Sequence, residues 1–139
     1  MEGFTLETMR FVSELALRAE LVGGFLHVHA GEVERDDLVP TAADFLMHCA
    51  EARWTAVSGV LGDVLTISVR SLGQQLSAGD LVQRAYGGLG SAGGHASAAK
   101  AVLDLRAATK RFGDPEKRGF SRRLFKPLWE AAGEGGRKR

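Results

Sequence analysis

The chain has 139 residues, 18 Lys/Arg against 17 Asp/Glu, and a single cysteine. Its length suits one domain with one core, and 45% apolar with 25% charged residues is ordinary for a soluble globular protein. No apolar run approaches the ~18 residues of a membrane span, no basic-then-apolar leader opens the chain, and lone Cys49 excludes an internal disulfide and a cysteine zinc site. These features point to a reducing cytoplasm and to no membrane partner.

The near-neutral total hides an asymmetry. Residues 1–105 carry 7 Lys/Arg and 13 Asp/Glu, a net of −6, whereas residues 106–139 carry 11 and 4, a net of +7. The expected organisation is an acidic body over 1–105 and a basic C-terminal helical extension over 106–139. Such an extension either binds nucleic acid or folds back on the acidic body.

In chain order, Thr5 to Val22 reads as a helix, with Phe11, Val12, Leu15, Ala16, Ala19 and Val22 on one stripe and Gly23-Gly24 as its stop. Phe25 to Ala30 (FLHVHA) reads as a strand with a half-exposed face carrying His27 and His29. An H-x-H pair on a strand can hold a metal, but nothing nearby completes the site, and the metal reading is set aside. Residues 31–38 read as a charged loop. Thr41 to Arg53 reads as a second helix, started by Thr41 and Asp44 just after Pro40 and burying Ala42, Phe45, Leu46 and Cys49. Asp36, Asp37 and Asp44 are taken as a solvated loop plus a cap.

Trp54–Leu61 and Val64–Ser71 are the clearest strands. Gly62-Asp63 between them predicts an antiparallel hairpin. Leu65, Ile67 and Val69 share one face of the second strand; Thr66, Ser68 and Arg70 share the other. Arginine and serine two residues apart on a rigid strand suit phosphate, through forked charged donors and a hydroxyl. Ser77 or Asp80 caps a third helix to about Tyr86. Gly87 to Lys100 (GGLGSAGGHASAAK) then holds five of the 18 glycines and one of four histidines. A loop this rich in glycine can form an anion-binding nest, especially where a helix starts just after it, and His95 would add a polar side chain to it. Residues 97–105 read equally as helix or edge strand. Residues 106–119 read as loop, with Gly113, Asp114 and Pro115 as breakers. Phe120 to Ala132 reads as a last amphipathic helix, kinked or started by Pro127, and the terminal GEGGRKR reads as disordered.

A strand ending in ISVRS, a helix, and then GGLGSAGGHASAAKAVLDL together resemble the DHH-associated domain. This is the C-terminal substrate-binding domain of DHH phosphoesterases, among them RecJ-type exonucleases and oligoribonucleases. The family hallmark, a glycine-rich run ending in GGH and followed by small residues, stands here as GGHASAA; the polar strand pattern stands as Ser68, Arg70 and Ser71. The resemblance covers roughly residues 4–105. It implies that Gly93, Gly94 and His95 contact a substrate phosphate. It also implies that Arg70, with Ser68 or Ser71, reaches the same phosphate or the sugar–phosphate backbone. Ser91 and Ala92 interrupt the glycine run, and Lys100 stands where the family commonly has glycine. Lys100 is either a further phosphate contact or the mark of a divergent loop.

In that superfamily hydrolysis belongs to a separate domain holding manganese through Asp and His, including an Asp-His-His motif. This chain contains no such motif. The expectation is therefore a module with no catalytic or metal-ligating residues and no cofactor, which binds single-stranded nucleic acid, a short oligonucleotide or a nucleotide. Two alternatives stand beside it. The chain is the substrate-binding component of a split or truncated phosphoesterase with a DHH catalytic partner, or it is a structural or regulatory domain that homo-oligomerises. Alanyl-tRNA synthetases carry a version of the same domain; the histidine after Gly-Gly favours the phosphoesterase branch. The expected fold is α/β, a mixed central sheet of about four or five strands flanked by helices.

Overall fold

A computed structural model describes residues 3–72 and 76–134. Of the terminal GEGGRKR, expected to be disordered, residues 135–139 lie outside the described residues, whereas Glu134 is held in place, its carboxylate accepting from the Gly24 amide and from Arg53. The order of elements is α1 (Leu6–Arg18), β1 (Glu20–Val22), β2 (Phe25–Glu32), α2 (Leu38–Leu46), β3 (Trp54–Leu61), β4 (Val64–Ser71), α3 (Ala78–Tyr86), β5 (Gly90–Gly94), β6 (Ala98–Asp104), α4 (Leu105–Phe112) and α5 (Phe120–Ala131). The strands form one sheet in the order β1-β2-β3-β4-β6-β5. β2 and β3 are parallel; all other neighbours are antiparallel, so the sheet is mixed, as expected, and has six strands.

Alternation along the strands sorts the apolar side chains into two cores. Leu65, Ile67 and Val69 of β4 and Ala99, Ala101 and Leu103 of β6 fall on one face, under α3, α4 and α5, in a cluster with Phe25, Trp54 and Tyr86. Leu26, Val28 and Val57 fall on the other face, under Val12 and Leu15 of α1 and Val39, Ala42 and Leu46 of α2. The β3–β4 hairpin turns at Gly62, whose φ of +64° suits a two-residue turn.

Several boundaries differ from the sequence reading. The first helix stops at Arg18, and Glu20–Val22 leaves it to pair with Phe25–His27 as β1. Gly23 at φ +58° makes a hairpin turn there, not only a helix stop. α2 starts at Leu38, before Thr41, which puts Pro40 in the first turn, where its missing N–H costs nothing. Asp37 stands at its N-cap without a side-chain cap bond, and Asp44 is used elsewhere. Cys49 is partly buried beside the α1–α2 core rather than fully inside it. The stretch read as loop over 106–119 begins with α4: the Asp104 carboxylate accepts from the Ala107 amide at 3.0 Å, and Ala108 and Phe112, four residues apart, are buried. Pro127 lies inside α5 and does not set its start.

His27 and His29 do not sit on a half-exposed face; they are 1% and 9% exposed. α5 covers them, with the His27 ring 5.0 Å from Trp129 and the His29 ring 4.8 Å from Phe120. Each keeps one hydroxyl partner: His27 Nδ1 lies 2.6 Å from Ser121 Oγ and His29 Nδ1 lies 2.7 Å from Ser58 Oγ. The tail also closes the larger core. Phe112, Phe120, Leu124, Phe125, Leu128 and Trp129 are buried in one cluster with β4 and α3, and Tyr86 OH donates to the Leu124 carbonyl at 2.7 Å.

Candidate functional site

The sheet face covered by α1 and α2 changes character along β4, β6 and β5. Register aligns Ser68 with Lys100 and Lys100 with Gly93, while Arg70 aligns with Ala98. Ser68, Arg70 and Lys100 therefore point to the same side. Ser68, Arg70, Gly93, Gly94, His95 and Lys100 line one open depression of about 240 Å³, with Pro40 of α2 on its rim. Residues about 25 positions apart in sequence are thus brought together across three strands.

Ser71 is placed differently. Alternation puts it on the opposite side of β4, where its hydroxyl donates to the Ala96 carbonyl at 3.1 Å and its amide to the Ser97 carbonyl at 3.0 Å. It holds the turn that carries His95. The first amides of α3 do the same: Ala78 N donates to Ala96 O and Gly79 N to His95 O, both at 2.9 Å. The carbonyls of the 95–97 turn are held by the protein, and the exposed His95 side chain projects from a braced loop.

The glycine-rich segment is not a nest at a helix start. Gly90–Gly94 is an edge strand, and Ala98–Asp104, left open between helix and edge strand, is an interior strand between β4 and β5. Glycine is required at Gly94 by close approach: φ is +155°, and a Cβ there would lie 2.5 Å from Ala99 Cα and against the Ala98 carbonyl. Gly79 is required by the same contact, since its Cβ would stand 2.5 Å from the Gly94 oxygen. At Gly93 a Cβ would meet nothing within 4 Å. Gly94→Ala is accordingly expected to cost about 2–3 kcal/mol, because backbone atoms must move. Gly93→Ala is expected to stay within about 0.5 kcal/mol. Urea melts in which the two variants matched would reject this account.

The cations of the depression carry acidic partners that the sequence reading treated as solvated. Arg70 Nε donates to Asp44 Oδ1 at 2.7 Å, and Lys100 Nζ to Asp36 Oδ2 at 2.8 Å. Both carboxylates are about half exposed or more, at 66% and 49% of their side-chain area. Surface pairs of this kind contribute about 0–1 kcal/mol, so an incoming anion can replace the carboxylates at little cost. No signal in the sequence joins Asp36 to Lys100, 64 positions away; only the α2–sheet packing does. Among the described residues no group of three His, Cys, Asp or Glu side chains could hold a metal ion. Among the same residues no helix is long and apolar enough to cross a membrane.

No family model matches the chain. An uncharacterized protein of Methanocaldococcus jannaschii is 33% identical over 100 residues, which are 71% of this chain. The chain spans about a fifth of the length of this curated relative, 20%. Among solved structures, an exopolyphosphatase-related protein from Bacteroides fragilis superposes with a TM-score of 0.65 at 12% identity, over 94% of this chain and 35% of that one. RecJ from Thermus thermophilus gives 0.61 at 18% identity, over 91% of this chain and 16% of RecJ. The C-Ala domain of Aquifex aeolicus alanyl-tRNA synthetase gives 0.52 at 18% identity, over 63% of this chain and 83% of that domain. The chain has the fold shared by these proteins, which supports the DHH-associated resemblance at the level of fold.

Proposed function

We propose that the chain is a phosphate-recognising module for a short single-stranded nucleic acid or nucleotide. The observation that carries this reading is the convergence of Ser68, Arg70, Gly93, Gly94, His95 and Lys100 on one depression. Arg70 supplies a forked charged donor, Lys100 a point charge, and His95 a ring nitrogen, while Gly93 leaves the floor of the depression without a side chain. The fold shared with RecJ and the exopolyphosphatase-related protein supports the same reading.

The test is a titration with 5′-phosphorylated, 3′-phosphorylated and unphosphorylated oligonucleotides. One phosphorylated form is expected to bind about tenfold more tightly than the bare strand, the worth of one good charge-assisted contact. Arg70→Ala and His95→Ala are each expected to abolish that preference. Equal affinity for all three ligands would reject the phosphate site.

A second reading rests on length. The chain spans a fifth of its curated relative and 16% of RecJ. On this reading it is the binding part of a larger phosphoesterase, with manganese and hydrolysis belonging to a separate Asp/His domain. Hydrolysis of the oligonucleotide by the isolated chain with manganese would contradict that division of labour.

A further inference from the structure

A second groove, of about 630 Å³, lies on the other side of the sheet, between β1, β2 and the segment leading into α5. Its charged lining is Arg18, Lys117, Arg118 and Arg122 against Glu20 and Glu116, an excess of cations. Lys117, Arg118 and Arg122 are exposed. The twelve-residue helix α5 begins here, behind Gly119 at φ +89° and with no side chain capping it. Its positive end faces a groove that is already basic.

The second, independent observation is His27. The residue lines the same groove, and its Nε2 is buried with no hydrogen-bond partner among the described residues. Nδ1 is engaged by Ser121 Oγ at 2.6 Å, which fixes the ring. Glu20 Oε1 lies 3.9 Å from Nε2, too far for a hydrogen bond. That carboxylate only accepts, so we assign the ring proton to Nε2. Arg122 Nε donates to the same oxygen at 3.1 Å. Two donors from different elements therefore converge on a position held by one carboxylate oxygen, on a side chain that is itself 53% exposed. Buried donors are rarely left unpaired. Glu20 marks where an anion belongs without satisfying the imidazole.

We propose that this groove is a second phosphate-binding site, at which a phosphate oxygen displaces Glu20 and accepts from His27 Nε2 and Arg122, with Lys117 and Arg118 at its rim. It does not depend on the depression around His95, which lies on the opposite face of the sheet and uses different strands. The ligand is a phosphate group, whether free or carried on a nucleotide chain.

The experiment uses the full chain with ¹⁵N-labelled histidine, titrated with inorganic phosphate at constant ionic strength and, separately, with sodium chloride. The His27 imidazole resonances are expected to shift saturably with phosphate and not with chloride. The same shift is expected in the Arg70→Ala/His95→Ala double variant, which removes the first site. Lys117→Gln/Arg122→Gln is expected to weaken phosphate binding about tenfold. Glu20→Gln, which removes the resident competitor from an exposed position, is expected to tighten it several-fold. A titration with an oligonucleotide bearing only internal phosphates separates a chain phosphate, which shifts His27, from free phosphate, which alone does so. The proposal is overturned if phosphate and chloride act alike, if the shift disappears in the Arg70→Ala/His95→Ala background, or if Glu20→Gln leaves phosphate affinity unchanged.

Discussion

Deletion of residues 106–139 is expected to abolish cooperative unfolding of the remaining chain. Six apolar side chains of this segment, Phe112, Phe120, Leu124, Phe125, Leu128 and Trp129, are at most 7% exposed and share a core with Phe25, Trp54, Leu65 and Tyr86. At about 1.5–3 kcal/mol for each buried side chain, their removal forfeits on the order of 10 kcal/mol. Whole domains have about 5–15 kcal/mol in hand. The deletion also strands the Tyr86 hydroxyl, fully buried and bonded, among the described residues, to the Leu124 carbonyl. The point version is Leu124→Ala, expected to cost about 3 kcal/mol by transfer and cavity terms together. Near-UV circular dichroism and urea melts decide the matter. A truncated chain with a sharp native transition would show that residues 106–139 are a separable appendage and that their packing contributes little.

Acid is expected to destabilise the protein as pH falls below about 6.5. Burial pushes both His27 and His29 down from 6.5 to about 4; the Glu20 carboxylate opposes this at His27, while Arg122 there and Arg18 at His29 add to it. The unfolded chain takes up these protons as pH falls through 6.5, whereas the native state stays neutral at both sites until about pH 4. The stabilisation is thus complete above 6.5, is lost progressively down to about 4, and falls no further from these groups below that. Each histidine accounts for roughly 3 kcal/mol over the window. The pair together is comparable to the margin of a small domain. Urea midpoints measured from about pH 7 to about pH 4.5 test this. A flat profile, or a His27 or His29 imidazole resonance that titrates near 6.5 in the native state, would refute it.

Both results turn on α5, and α5 shows how sequence and structure divide the account. Its apolar stripe at Leu124, Phe125, Leu128 and Trp129 was readable from helical spacing. Its destination was not. The same holds for FLHVHA: its strand was plain, but a period of two says only that His27 and His29 share a face, not that a helix almost a hundred residues later covers it. The basic charge of the tail suggested an appendage because net charge records the outer face of a helix and is silent on the inner one.

Local pattern also misjudged the glycine-rich stretch. Gly90–Gly94 has no side chains to show alternation, so strand and loop look alike in sequence. What makes it a strand is pairing with Ala99–Leu103 of β6, whose other edge pairs with β4. The missed α4 is a similar case. Its charged outer face hid the Asp104 cap and the Ala108–Phe112 spacing that were present in the sequence.

By itself, then, the sequence determined the α/β class, the β3–β4 hairpin with its turn, the helix that starts at Ser77 or Asp80 and runs to Tyr86, and the residue types of the candidate phosphate depression, because each follows from neighbours in the chain. Tertiary structure alone decided that Ser68 and Arg70 face Lys100 and the His95 turn, and that Ser71, which alternation puts on the other side of β4, braces that turn. It alone decided that Asp36 and Asp44 occupy the cations, and that His27 is buried with one nitrogen unpartnered among the described residues. The physical reason is the same in each case. These are consequences of strand register and of which helix lies over which face, and both are set by contacts between residues far apart in sequence.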